Sequence, residues 1–166
     1  MKKVILAGLA LLVLAAAPAL AGSATSTVTV TATVLSNCTI SAGTVAFGNY
    51  DPTSATPLDQ TGSVNVQCTT GTVATIAMGQ GSNAAVGSTD AAPLRQMASG
   101  AQRLRYDFYQ NSSRTTVWGN TLLTSVAYTA LSSASTAVTI YGRVPINQNA
   151  TAGAGYSDSV TATINF

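Results

Sequence analysis

The chain has 166 residues, 7 Lys+Arg against 5 Asp+Glu, and only 7% charged residues against 46% hydrophobic ones. It has no His, and every acid is Asp, so the usual general base, the commonest metal ligand and glutamate are all missing, which argues against an enzyme or a metal site. Charges this sparse offer no basic surface to nucleic acid and little to keep sheet edges from self-association.

The first elements form a leader. Lys2 and Lys3, an apolar run over 4–14 and Ala19-Leu20-Ala21 predict a signal peptide over 1–21, with Gly22 as the first mature residue. A transmembrane helix needs about 20 apolar residues, and Pro18 comes too early for one. No later window is apolar enough, so the mature chain is expected to have no membrane span. The short basic start is bacterial in style and points to the periplasm or beyond. Removing the leader removes both lysines. Arg95, Arg103, Arg105, Arg114 and Arg143 then balance Asp51, Asp59, Asp90, Asp107 and Asp158, and the mature side-chain charge is zero.

Residues 24–34 alternate strictly. Val28, Val30, Ala32 and Val34 take one face and Thr27, Thr29, Thr31 and Thr33 the other, with no internal turn to fold the strand back on a neighbour. Leu35 breaks that parity, so the strand ends near Val34 or carries a bulge before Cys38. Cys38 and Cys68, the two cysteines of an exported chain, are expected to form a disulfide. Short extended pieces around 45–47 are followed by turns at Gly48-Asn49 and Asp51-Pro52, and Asp51 and Asp59 both read as turn residues. Val64, Val66 and Cys68 share an apolar face, "TVATIAMGQG" predicts another strand, and 79–92 reads as a surface loop.

Further along, Leu104, Tyr106 and Phe108 alternate with Arg103, Arg105, Asp107 and Tyr109, which predicts core on one face and cross-strand charge pairs on the other. Trp118 reads as a core or rim residue. Val138 and Ile140 share a face of a strand ended by Pro145, which cannot donate to a ladder. The last stretch puts Val160, Ala162, Ile164 and Phe166 on one face. No 3.6-residue periodicity appears beyond the leader. Short strands, turns and one bridge predict an all-β antiparallel sandwich of immunoglobulin-like type.

The five Asp stand singly in turns or beside Arg, with no carboxylate pair, phosphate loop or nucleophile elbow, so no catalytic residue, metal or cofactor is expected. The Asn-x-Ser/Thr triplets at Asn37, Asn111 and Asn149 arise readily in so Ser/Thr-rich a chain, and Arg114 and Arg143 read as surface-pairing residues.

Three blocks, "SNCTI" with its upstream alternating segment, "RLRYDFYQNSSRTTVWGN" and "TIYGRVPINQNATAGAGYSDSVTATINF", together resemble the spore coat protein U domain. That domain is also the fold of the major subunit of archaic chaperone-usher pili. The resemblance implies an incomplete immunoglobulin-like sandwich over 37–166 that lacks its final strand, preceded by a donor extension over 22–36. Val28, Val30, Ala32 and Val34 would be the donor residues. Val160, Ala162, Ile164 and Phe166 would edge the acceptor groove, which a periplasmic chaperone fills until the next subunit's extension replaces it at an outer-membrane usher. The implied product is an extracellular fimbria of identical or related subunits, serving adhesion or biofilm formation. The alternative is a secreted coat or carbohydrate-binding module whose residues 24–34 fold back and complete their own sandwich.

Overall fold

The computed structural model describes residues 21–153 and 155–166, so the expected leader, except Ala21, lies outside the described residues. The chain divides into two units, 1–33 and 34–166. Of the first, residues 21–33 are exposed and belong to no strand. No helix among the described residues is long and apolar enough to cross a membrane.

In the second unit the period-2 segments become strands. In chain order they are β1 (Cys38–Ala42), β2 (Leu58–Cys68), β3 (Val73–Met78), β4 (Gln96–Ser99), β5 (Gln102–Arg105), β6 (Asp107–Tyr109), β7 (Val126–Thr129), β8 (Thr136–Val144) and β9 (Ala162–Asn165). One sheet has the order β1-β2-β8-β6, a second the order β7-β3-β9, and β4 and β5 form a hairpin. Every pairing is antiparallel. This is the all-β immunoglobulin-like sandwich that the turn-separated strands predict, and Cys38 and Cys68, register partners on β1 and β2, form the disulfide.

The core lies where the apolar faces meet. Val64, Val66, Phe108, Ile140 and Val144 come from the first sheet and Ile76 and Met78 from the second, with Leu104, Tyr106 and Trp118 completing the cluster. Trp118 is fully buried, and its indole N–H donates to the carbonyl of Ile76 at 2.8 Å, which satisfies the one polar atom that burial would otherwise orphan. Its backbone N–H donates to Phe108 O, and the next carbonyl, Gly119 O, accepts from Met78. Residues 118–119 thus carry the chain from the edge of one sheet to the other.

Two readings of single residues need correction. Asp59 is no turn residue: it lies in β2 opposite Arg143, whose guanidinium holds its carboxylate at 2.7 and 2.8 Å, while Arg114 approaches at 3.3 Å. Asp107 is buried rather than on an outer face. The chain leaves the β4–β5 hairpin at Tyr106 and joins β8 at Asp107, and although Asp107 still bonds the Arg105 guanidinium at 3.3 Å, Tyr106, Asp107 and Phe108 are all buried in succession.

Candidate functional site

The site is an open edge above an apolar groove. β9 is the last strand of its sheet and β1 the first of the other, and no strand of the described residues pairs with the far side of either. The approach to β9 is already ordered by bonds on one side only. Ser157 exchanges backbone bonds with Ala98, Ser159 O accepts from Ser82, and Thr161 O accepts from Gly79 at 2.9 Å. Antiparallel pairing directs alternate residues to opposite sides, so with 157, 159 and 161 committed inward, the backbone N–H and C=O groups of Val160, Ala162 and Ile164 point to the open edge. The side chains of these same residues are half-buried against the core.

Beside that edge lies a groove of ≈ 450 Å³ whose walls include Val45, Val64, Tyr106, Ile140, Val160 and Ala162. It adjoins a second cavity of ≈ 790 Å³ with which it shares Val45, Phe47, Met97 and Tyr156. Buried core residues such as Val64 and Ile140 therefore form the floor of an opening wide enough for side chains. The wall at Val45 exists because the sheet beneath it carries glycine. A Cβ on Gly62 would lie 2.6 Å from Val45 Cγ2, and one on Gly142 would lie 2.8 Å from Phe47 Cζ.

Polar anchors hold the groove in shape. Asp158 accepts from the Tyr106 hydroxyl at 2.7 Å through Oδ2 and from the backbone and side-chain nitrogens of Asn83 through Oδ1. Burial, with the Asp158 bond and charge behind it, pushes the Tyr106 hydroxyl far above its usual pKa, so it remains a donor. Arg95 is fully buried and donates to the carbonyls of Met78, Gly79 and Trp118 at 2.9, 2.9 and 2.7 Å, with its guanidinium 5.3 Å from the centre of the Phe108 ring. Burial pushes the Asp107 carboxyl up, while hydrogen bonding to Arg143 holds Asp59 below the usual carboxylate range.

The groove-edge residues expected from the sequence divide. Val160 and Ala162 line the groove, Ile164 packs on the core from β9, and Phe166 lies past the strand with 59% of its surface exposed. The expected donor residues Val28, Val30 and Val34 are 82, 88 and 81% exposed, and Ala32 is exposed too. Sequence reasoning missed Arg95, Tyr106 as a hydrogen-bond donor and Asp158 as its acceptor. Their partners are backbone carbonyls or residues far along the chain, and no local pattern announces them. Among the described residues no group of three or more His, Cys, Asp or Glu is placed to hold a metal ion.

A model of the spore coat protein U domain matches residues 24–163. The chain belongs to the spore coat protein U domain family. Protein U of Myxococcus xanthus is 42% identical over 160 residues, covering 90% of this chain and 88% of the relative. A likeness of fold extends to a chain in the crystal structure of the CsuC-CsuE chaperone–tip adhesion subunit pre-assembly complex, from archaic chaperone-usher Csu pili of Acinetobacter baumannii. There the TM-score is 0.55 and the identity 22%, over 81% of this chain and 40% of that one. This spore coat protein U domain thus spans about two-fifths of the solved chain it matches.

Proposed function

We propose that this protein is a structural subunit of an extracellular fimbria, exported to the periplasm, held there by a chaperone and polymerised at an outer-membrane usher by donor-strand exchange. Adhesion or biofilm formation is the purpose that such a fibre would serve. The observation that carries the reading is the row Val160, Ala162 and Ile164, whose backbone groups point to an unpaired edge while Val160 and Ala162 line an apolar groove.

A strand laid along that edge makes ladder bonds and inserts every second side chain. Val28, Val30, Ala32 and Val34 of another copy supply that period, and their exposure leaves them available. Burying three valines and an alanine contributes on the order of 5 to 10 kcal/mol before ordering costs. Each subunit then has one donor and one acceptor, and a head-to-tail contact of this kind need not close into a ring, so an open fibre follows. The fold neighbour, a chaperone–subunit complex of archaic chaperone-usher pili, supports the chaperone step.

The test is expression of the mature chain, with and without residues 22–36, beside its matching chaperone and usher. Heat-sensitive, detergent-resistant ladders on a gel are expected only when the segment is present. Monomers from the full mature chain under those conditions would favour the self-complemented module instead.

A further inference from the structure

Ladder bonding between β1 and β2 continues one step past the Cys38–Cys68 pair, where Thr69 N–H donates to the carbonyl of Asn37 at 2.9 Å. Beyond that point a side chain takes over from the backbone. The Thr69 hydroxyl donates to the carbonyl of Leu35 at 3.1 Å and accepts from the N–H of Asn37 at 3.2 Å. Its donor and an acceptor site are thus both spent on the three residues by which the N-terminal extension leaves the domain. Thr69 is itself fixed, because it follows the disulfide-bonded Cys68 and its carbonyl accepts from Thr72 at 3.0 Å across a turn that Gly71 completes with φ of 84°.

We propose that Thr69 is an orientation clamp that sets the angle at which the extension departs, and through it the angle between successive subunits of the fibre. The inference rests on the donor-strand reading. If Val34 is the last residue seated in a neighbouring copy, three peptide steps separate it from Asn37, the first residue in the ladder, and three steps span at most about 10 Å. No Gly or Pro stands between residues 34 and 37 to loosen the path. The clamp shortens the free path further, since the chain is held from the Leu35 carbonyl onward. A tether this short and this constrained transmits orientation from one body to the next, where a longer one would act as a swivel.

The experiment assembles fibres with the chaperone and usher and measures ladder yield on gels and persistence length by electron microscopy. Thr69→Val keeps the branched shape and removes the hydroxyl, and Thr69→Ser restores it. The expected result for Thr69→Val is normal ladders with a persistence length lowered about twofold or more, and wild-type stiffness for Thr69→Ser. A second variant, Thr69→Ala, also removes the hydroxyl with a smaller side chain, is expected to soften the fibre in the same way, and decides the matter if Thr69→Val does not assemble. Normal ladders with undiminished stiffness in Thr69→Val or in Thr69→Ala would overturn the clamp alone. Ladders from the chain lacking residues 22–36 would overturn the donor reading, and the clamp with it.

Discussion

The hydroxyl of Tyr106 donates to Oδ2 of Asp158 at 2.7 Å, joining residues 52 apart in sequence on two walls of one groove. This bond fixes the segment that leads into β9, and so the level of Val160 and Ala162 along the open edge. Tyr106→Phe keeps the ring packing against Phe47 and Phe108 and leaves Asp158 Oδ2 without this donor. The expected cost is about 1 to 2 kcal/mol, read as a lower urea midpoint with an unchanged slope.

Arg95 joins the loop before β4 to the end of β3 through the Met78 and Gly79 carbonyls and to the crossing between the two sheets through the Trp118 carbonyl. A planar fork reaches all three at once, and a lysine ammonium on its flexible stem does not. Arg95→Lys is therefore expected to destabilise by roughly 3 kcal/mol despite keeping the charge, because buried carbonyls lose charge-assisted donors. Chemical denaturation of the isolated domain checks this.

Gly62 lets the 44–45 segment lie close over the sheet. A methyl there meets Val45 Cγ2 at 2.6 Å and the Thr44 carbonyl oxygen at 2.7 Å, and the latter is backbone that does not rotate away. Gly62→Ala is expected to cost about 1 to 3 kcal/mol and to shift the Val45 wall of the groove. Gel ladders should fall with it.

Acid should erase the contribution of Asp59. Hydrogen bonding to Arg143 lowers its folded pKa below the unfolded value near 3.8, so its stabilisation is present above 3.8 and is lost as pH falls through the lower folded pKa. Asp107 works the other way: burial raises its folded pKa, so lowering the pH through that value favours the folded state. The stability difference between wild type and Asp59→Asn is expected to be largest at neutral pH and to shrink below pH 3.8, measured by urea denaturation across pH.

Strands were legible where one face is buried and the period is strict. Val64, Val66 and Cys68 turn inward together, as their alternation predicts, and Leu104, Tyr106 and Phe108 do the same even though the chain changes partner at Tyr106. The burial of Asp107 stayed hidden because alternation tells which face a residue takes and not whether other residues cover that face. Asp59 was misread because Pro57 and Gly62 flank it with turn chemistry, while its true partner, Arg143, lies 84 residues on. The alternation of residues 28–34 predicts a strand, but in the structure these residues belong to none, and no pattern in the sequence says which molecule they would pair with. Arg95 and Thr69 bind backbone carbonyls, which every residue possesses, so no side-chain spacing could reveal either.

In the proposed fibre another copy supplies the strand beside β9. A synthetic peptide of residues 24–34, added to the chaperone-bound subunit, tests it most directly, with chaperone release and melting temperature as readouts. The native peptide is expected to displace the chaperone and raise the melting temperature, and peptides carrying Val30→Asp or Ala32→Asp are expected to do neither. Failure of the native peptide to bind, or equal binding by the aspartate peptides, would contradict it.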